Sequence, residues 1–250
     1  MRIIERPHLP FGEVDRIIIG EKYRKQLENA IIKNNLNPIW LPDDQYTDER
    51  LSGHTDLSAV HIAGNRLVLR EYLNECEQIN ELDSLGFEMY FIENCGKRYP
   101  QDAGLNICIV GDKLICNPDT AAVKPEGFKM IPVRQGYTKC SVCVVDENSI
   151  ITQDIKISER ATEAGMNVLY ISKPFVRLEG FECGFIGGAS FKLSKEKLAF
   201  TGVIKESSIR NTIEIFLRGR NIETVYLTEE EIFDIGSAIP LTEKWYGLAP

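Results

Sequence analysis

Short apolar runs, joined in pairs by tight turns, recur along the chain. Four such pairs begin at Asp56, Asp102, Lys139 and Gly187, each with a small or polar opening, an apolar run, a turn of Gly, Asp, Asn or Lys, and a second apolar run. Two apolar runs separated by such a turn predict a β-hairpin. The starting points lie 37 to 48 residues apart, which is the length of a supersecondary repeat.

The residues after each hairpin repeat as well. Apolar positions three and four apart predict amphipathic helices over REYLNECEQINELDSL, KISERATEAG and SSIRNTIEIFLRG, the last two with left-handed glycine caps at Gly165 and Gly219. In the second unit PDTAAVKPEG predicts a short or absent helix. An extended segment then closes each unit: GFEMYFIE, GFKMIPV, MNVLYIS or NIETVYL. The predicted unit is therefore strand, strand, helix, strand.

The two ends of the chain supply a fifth unit. DRIIIG and NPIWLP predict strands on either side of a helix over EKYRKQLENAIIKNN. The apolar face of that helix is predicted to hold Tyr23, Leu27, Ile31 and the adjacent Ile32. DIGSAIPL, from Asp234, predicts the missing first strand. Pairing of residues 235–241 with residues 16–19 would close one domain of residues 1–250 into a ring without exposed sheet edges.

A doubly wound parallel sheet is the main alternative, because strands and helices also alternate in that fold. Tight hairpins precede the helices here, however, where that fold has single strands. The pair Gly187 and Gly188 also leads into a strand and not into a helix. We expect the pair to permit close packing or an unusual backbone angle, and a phosphate cradle is disfavoured. The sequence thus predicts an α/β propeller of five ββαβ blades.

Composition narrows the environment and the partners. The 250 residues are 43% hydrophobic, enough for a substantial core, and the formal net charge of −8 disfavours nucleic acid and anionic membranes as partners. No run has the length and apolarity of a signal peptide or a membrane span. We expect a cytoplasmic protein with a small-molecule ligand and with no nucleic-acid or membrane partner. The sequence indicates no oligomeric state.

Cysteine usage argues against disulfides and metals. Seven cysteines, an odd number without the spacing of a disulfide framework, are expected to be reduced. Cys140 and Cys143 form a CxxC, but an extended CSVCVV would put their side chains on opposite faces, and one CxxC is half a zinc site. We therefore predict no metal and no cofactor.

The ring of five units resembles the pentein fold, the α/β propeller of arginine deiminases, dimethylarginine hydrolases, agmatine deiminases and amidinotransferases. YPQDAGLNICIVGDKLICNP, VRQGYTKCSVCVVDENSIITQD, GFIGGASFKL and DIGSAIPL also resemble an uncharacterised bacterial family assigned to this fold. The resemblance implies a nucleophilic cysteine on the last hairpin, a histidine opening the middle hairpin, and carboxylates that hold a guanidinium. Residues 234–239 contain no cysteine, and the middle hairpin opens Gly136, Tyr137, Thr138 without a histidine.

Three acids stand at corresponding hairpin openings: Asp56, Asp102 and Asp234. Three further polar residues flank these openings in sequence: His54, Lys139 and Cys140. In a ring the openings gather at a central channel, where carboxylates can orient a planar cation by paired hydrogen bonds. The set therefore predicts a binding site for an amine, amidine or guanidine. The alternative for each Asp is a hydrogen bond from nearby backbone amides that fixes the turn.

Two functions remain open at this point. In the first, the channel binds a cationic small molecule or transforms it, with Cys140 as a non-standard nucleophile beside Lys139; the alternative for Cys140 is a small buried apolar side chain. In the second, the ring is a non-enzymatic interaction protein, since the usual catalytic cysteine and histidine are absent. His61, in the alternating LSAVHI, is expected to pack within its strand, and His8 to lie in a loop.

Overall fold

The computed structural model describes residues 1–94 and 96–244. Within these residues, sixteen strands form five small sheets. The strands are β1 (Arg2–Ile3), β2 (Val14–Gly20), β3 (Asn37–Leu41), β4 (Ala59–Ala63), β5 (Arg66–Arg70), β6 (Glu88–Ile92), β7 (Cys108–Val110), β8 (Lys113–Cys116), β9 (Lys129–Pro132), β10 (Val142–Asp146), β11 (Ser149–Thr152), β12 (Asn167–Tyr170), β13 (Ser190–Ser194), β14 (Lys197–Phe200), β15 (Glu223–Tyr226) and β16 (Ile239–Glu243).

Helices in the same described residues are mostly short. The α-helices are α1 (Arg24–Lys33), α2 (Thr55–Ser58), α3 (Gln78–Ser84), α4 (Thr138–Ser141), α5 (Ile155–Glu163) and α6 (Ser207–Arg218). The 3₁₀ helices span Glu21–Tyr23, Glu49–Leu51, Glu71–Leu73 and Gln101–Leu105.

Four of the sheets are built alike from consecutive strands. β4 pairs antiparallel with β5, and β5 pairs parallel with β6. The same order holds for β7–β9, β10–β12 and β13–β15. A parallel pair needs a crossover connection, which explains the helix between the second and third strands. The connection from β8 to β9, all of it described, has no helix, as PDTAAVKPEG predicts.

The fifth sheet joins the two ends of the chain. β16 pairs antiparallel with β2, with Ile239 opposite Ile18 and Pro240 opposite Ile17, and β2 pairs parallel with β3. The predicted ring closure is therefore confirmed. The sequence did not indicate β1, which pairs with the outer edge of β16.

Hydrophobic clusters fill the spaces between neighbouring blades. Ile17 and Ile19 point into a cluster shared with Phe191 of β13, whereas Ile18 points the other way into a cluster shared with Leu67 of β5. Three further clusters join the remaining neighbouring blades. Because successive side chains of a strand face opposite sides, a strand buried on both sides needs a continuous apolar run such as RIIIG. Each blade is thus packed against both of its neighbours around the ring.

Three local predictions need correction. The helix predicted over residues 70–85 is broken, because a 3₁₀ turn at Glu71–Leu73 is followed by an irregular stretch before α3. Ile32 is 59% exposed, since it follows Ile31 by one position and rotates off the buried face. Gly219 has φ −63° and is no left-handed cap; Asn221, with φ +56°, takes that conformation instead.

Gly165 is the left-handed cap that the sequence predicts, with φ +80°. We expect Gly165→Ala to lower the free energy of unfolding by about 1 kcal/mol, because an L side chain is strained at positive φ. Gly219→Ala is the matched control, since it also follows a helix but has φ −63°, and it should be neutral or slightly stabilising. Urea unfolding of both variants measures the difference. Equal effects of the two substitutions would contradict this assignment of the caps.

Among the described residues, no helix combines the length and the apolar character needed to cross a membrane.

Candidate functional site

The hairpin openings meet at the centre of the ring, which we call the hub: residues 54–58, 101–106, 137–141, 184–188 and 234–237. Backbone hydrogen bonds link neighbouring openings around it. They run from Thr138 N to Asn106 O (3.2 Å), from Gly188 N to Cys140 O (2.9 Å), from Ser237 N to Gly188 O (2.7 Å) and from Asp56 N to Gly236 O (3.0 Å). The hub thus holds side chains from different blades at fixed distances.

Two of the openings are single α-helical turns, and a third is the 3₁₀ turn Gln101–Leu105. Asp56 lies in α2, while Lys139 and Cys140 lie in α4. The expectation that Cys140 and Cys143 share one extended run is therefore wrong: Cys140 precedes β10, and Cys143 packs in the cluster between the third blade (β10–β12) and the fourth (β13–β15). Four-residue turns carry too little periodicity to be recognised in a sequence.

Cys140 contacts an acid from another blade. Its Sγ donates a hydrogen bond to Asp56 Oδ2 at 2.8 Å and accepts one from Asn106 Nδ2 at 3.4 Å. Asn106 Oδ1 also accepts the backbone N–H groups of Lys139 and Cys140, at 2.7 and 3.2 Å. Asn106 therefore fixes the position of α4 and of the thiol together, although the sequence analysis did not single it out.

Burial controls the charge of this pair. It raises the pKa of Asp56 to about 7; the charge of Lys139 and the hydrogen bond from Cys140 oppose this rise, and Asp234 adds to it. Burial, followed by the charges of Asp56 and Asp234, raises the pKa of the Cys140 thiol well above its ordinary value. In the free protein Cys140 is a neutral thiol, and Asp56 is protonated in a large part of the molecules at neutral pH.

Lys139 is buried and held at the hub by uncharged acceptors. Its Nζ donates to Gly187 O at 3.1 Å and to Ser237 Oγ at 2.9 Å. No carboxylate of the described residues lies within ion-pair distance of this ammonium. The charge of Lys139 therefore lowers the pKa of Asp56 from a distance and not through a direct ion pair.

Asp234 is oriented by the backbone around it. Its Oδ2 accepts from Phe185 N and its Oδ1 from Gly236 N, both at 2.9 Å. A Cβ at Gly188 would lie 1.9 Å from Oδ1, so only glycine leaves room for this carboxylate. The expectation that the glycine pair permits close packing is confirmed.

His54 completes the cluster. Its ring is 3% exposed, and its Nε2 has no hydrogen-bond partner among the described residues. Burial lowers the pKa of His54, so the ring is neutral at physiological pH. One donor atom each from His54, Cys140 and Asp234 lies within 4.8 Å of the other two.

A cavity of about 180 Å³ opens beside these three side chains. The other lining residues are mostly apolar: Leu51, Leu57, Tyr137, Leu178, Phe181, Cys183 and Phe185. A larger cleft of about 500 Å³ adjoins it, since Leu178 and Asp234 line both. The smaller cavity, which we call the chamber, and the larger cleft are therefore neighbours.

The six residues singled out in the sequence occupy different parts of this site. His54, Cys140 and Asp234 line the cavity, Asp56 lies behind Cys140, and Lys139 lies deeper in the hub. One residue, Tyr137, separates Asp102 from the cavity. The hydroxyl of Tyr137 donates a hydrogen bond to Asp102 Oδ2 at 2.8 Å. Burial raises the pKa of Asp102 as well.

Several site residues carry no sequence signal. Asn106 is marked in the sequence only as a polar residue inside the apolar run LNICIV, and the structure shows it to be buried. Cys183 and Phe185 come from residues 173–186, which contain no predicted element. His61 packs in its strand with Nε2 bonded to Gly64 O at 2.7 Å, as expected.

The described fold defines the class of the protein. It is a pentein-type α/β propeller, as the sequence resemblance implies, and solved structures of that class align with it over nearly their full length. An amidinotransferase of saxitoxin biosynthesis from Microseira wollei is 7% identical and has a TM-score of 0.56, covering 98% of this chain and 99% of its own. Inosamine-phosphate amidinotransferase from Streptomyces griseus is 7% identical with a TM-score of 0.56, covering 98% of both chains.

An agmatine deiminase from C. jejuni, a cysteine-to-serine variant with substrate bound, aligns with a TM-score of 0.52 at 12% identity, covering 94% of this chain and 95% of its own. Identities this low establish the fold alone. The family model of a family of unknown function, DUF6873, matches residues 18–239, and the chain belongs to that family. No protein with a curated description matches the sequence.

Proposed function

We propose that the cavity binds the guanidinium or amidinium end of a small molecule, and that Cys140 acts on it as a nucleophile. The observation that carries this proposal is the contact of 2.8 Å between Cys140 Sγ and Asp56 Oδ2, at the wall of a cavity that Asp234 also lines. A nucleophile and a base within hydrogen-bond reach are the minimum that covalent catalysis requires.

The shape of the cavity suits a small planar head group. A volume of about 180 Å³ accommodates a guanidinium or amidinium head group, and the larger cleft that shares Leu178 and Asp234 has room for the rest of a longer molecule. Aromatic rings of Tyr137, Phe181 and Phe185 line the chamber and favour a cation over their faces.

Charge explains why such a ligand would activate the site. Without it, the thiol holds its proton and Asp56 keeps its proton in a large part of the molecules, because burial disfavours their charged forms. A cation next to them reverses this preference, since an opposite charge within about 4–6 Å favours the ionised form. Asp56 then ionises and can accept the thiol proton. The neutral resting state is thus compatible with a reactive bound state.

The covalent step balances with residues of this chain. Cys140 Sγ forms a bond to the central carbon of the guanidinium as Asp56 accepts the thiol proton. The bond from that carbon to the departing amine then breaks, and the amine leaves with a proton from Asp56. The amidino group remains on sulfur until water or a second amine attacks it. Asp234 holds the amidino nitrogens throughout.

The structural relatives are consistent with this chemistry. Two are amidinotransferases, and the third is a deiminase of agmatine. The nucleophile proposed here stands on the middle hairpin, however, and not on the last one, where the sequence has no cysteine. Activity on a guanidine would therefore use the same ring with a different blade supplying the thiol.

Thermal unfolding with matched ligands tests the binding step. The protein is first treated with a chelator, so that any bound metal ion is removed. Arginine and agmatine should then raise its melting temperature, whereas citrulline, the neutral ureido counterpart of arginine, should not. A ligand at a hundred times its Kd stabilises the fold by about 2.7 kcal/mol. For a chain of this size that corresponds to about 5–10 °C.

The comparison also includes methylated arginines and acetamidine paired with neutral acetamide. A cationic compound that stabilises the fold is then assayed for release of ammonia or amine. If no cation stabilises the protein, or if citrulline acts as well as arginine, the proposed binding of a guanidinium is wrong.

A further inference from the structure

Three metal-ligand side chains from three blades meet at the hub. Donor atoms of His54, Cys140 and Asp234 all lie within 4.8 Å of one another, and each residue is at most 3% exposed. Zinc bonds of about 2.0–2.3 Å in tetrahedral geometry separate ligand atoms by about 3.5 Å. The three ligand atoms therefore need to approach one another by at most about 1.3 Å to share one ion.

An unpartnered nitrogen points to a ligand. His54 Nε2 is buried and has no hydrogen-bond partner among the described residues. A buried polar atom without a partner costs free energy, and native proteins rarely leave one without a reason. A metal ion bonded to this nitrogen would satisfy it in a way that no neighbouring protein group does.

The other two ligands already have the outer partners that metal sites use. Backbone N–H groups of Phe185 and Gly236 hold the carboxylate of Asp234, and Asn106 Nδ2 contacts the sulfur of Cys140. Such outer contacts orient the ligands and leave further lone pairs free for an ion. The carboxylate and sulfur are thus preorganised.

We propose that His54, Cys140 and Asp234 bind a divalent transition-metal ion of the zinc class. Imidazole and thiolate select such ions over magnesium and calcium, which prefer oxygen ligands. The thiolate and the carboxylate together balance the two positive charges of the ion, and the thiol releases its proton when the metal binds. The fourth coordination position faces the cavity, as in zinc sites with three protein ligands.

This inference goes beyond the proposed function and does not rest on it. A sulfur bonded to a metal cannot at the same time attack a guanidinium, so the two occupants exclude each other. Of the CxxC only Cys140 takes part, because Cys143 packs in a hydrophobic cluster away from the site. The ligands are 86 to 180 residues apart in the chain, a separation at which spacing gives no signal.

The test uses chelator-treated full-length protein and two metal ions. Zn²⁺ binding is measured by titration calorimetry, and Co²⁺ binding by thiolate-to-cobalt charge-transfer absorption. We expect a single equivalent of either ion and a charge-transfer band. Cys140→Ser should remove the band, and His54→Gln should weaken Zn²⁺ binding by about 100-fold or more, since loss of an outer partner alone costs about 10- to 100-fold.

Cys183→Ser is the matched control, because Cys183 lines the same cavity but is not one of the three ligands. It should keep both the band and the affinity. Circular dichroism establishes that each variant is folded. Absence of stoichiometric binding, or a band that survives in Cys140→Ser and disappears in Cys183→Ser, overturns the site. The guanidine measurements contain chelator, so their outcome is independent of this one.

Discussion

Asp56→Asn is expected to make the metal-free protein more stable at pH 8 and at the same time to weaken its binding of guanidinium ligands. Asp56 is buried, its Oδ1 has no hydrogen-bond partner among the described residues, and burial raises its pKa from the usual 3.8 to about 7. A buried carboxylate of this kind reduces the stability of the fold whenever it is ionised.

The sign of the pH dependence follows from the two states of the chain. The unfolded chain releases the proton of this carboxyl near pH 3.8, and the folded chain keeps it until about pH 7. Between these values the folded state binds more protons, so this residue lowers stability as pH rises, and the full penalty is present above pH 7. It amounts to a few kcal/mol.

Urea unfolding at pH 5 and pH 8, with chelator present, measures the effect. Asp56→Asn should be more stable than the native chain at pH 8, with a smaller difference at pH 5. Asp119→Asn, an exposed position, removes the same charge and should change neither value appreciably. If Asp56→Asn is less stable at pH 8, the carboxylate is a structural partner of Lys139 and the functional assignment fails.

The second large effect concerns the reactivity of Cys140. Chloroacetamidine and chloroacetamide both alkylate thiols by displacement of chloride, but only the first carries a positive charge. In the cavity the amidinium would lie beside Asp56 and Asp234 and favour the thiolate of Cys140. A charge-assisted hydrogen bond contributes about 1.5–3 kcal/mol, which corresponds to at least about tenfold in rate.

Cys76 provides the internal reference. It is half-buried and lies on a different blade, with its Sγ at 3.5 Å from Tyr72 O and no acid of the hub beside it. The ratio of amidine to amide alkylation should be at least about tenfold larger at Cys140 than at Cys76. Asp56→Asn should reduce this ratio, and Asp119→Asn should leave it unchanged.

The ring could be predicted from the sequence because its strands are buried on both sides. The stretches III in RIIIG and VCVV in SVCVV are apolar at every position, and tight turns separate such stretches at a regular spacing. The pattern leaves one strand without a hairpin partner at each end of the chain, so these two strands are expected to pair with each other. Closure through Ile239 and Ile18 follows from this pattern of pairing.

The sequence predicts which side of a helix is buried better than it predicts where the helix begins or breaks. Leu73 and Leu82 are buried and Ile79 packs beside them, as the spacing of three and four implies. The backbone between them is nevertheless irregular, and the N–H of Tyr72 is bonded to the side chain of Asn94. Apolar spacing reports which side chains face the core, and tertiary hydrogen bonds decide where the helix begins.

The site was predictable in part for a related reason. Repeated hairpin openings identify the residues that gather at the hub, so Asp56, Cys140 and Asp234 could be named from the sequence. The contacts of these side chains could not be predicted, because the partners come from different blades. Asn106 and Cys140, for example, meet only in the closed ring. Asp102 occupies an equivalent opening but turns toward Tyr137.

Peptide mapping by mass spectrometry after limited alkylation tests the central claim most directly, namely that the hub unites an acid pair and a thiol in a cavity for a planar cation. The account predicts that chloroacetamidine modifies Cys140 first, that chloroacetamide shows no such preference, and that agmatine protects Cys140. Equal modification of Cys140 by both reagents relative to Cys76, or no modification of Cys140 by either, would contradict it.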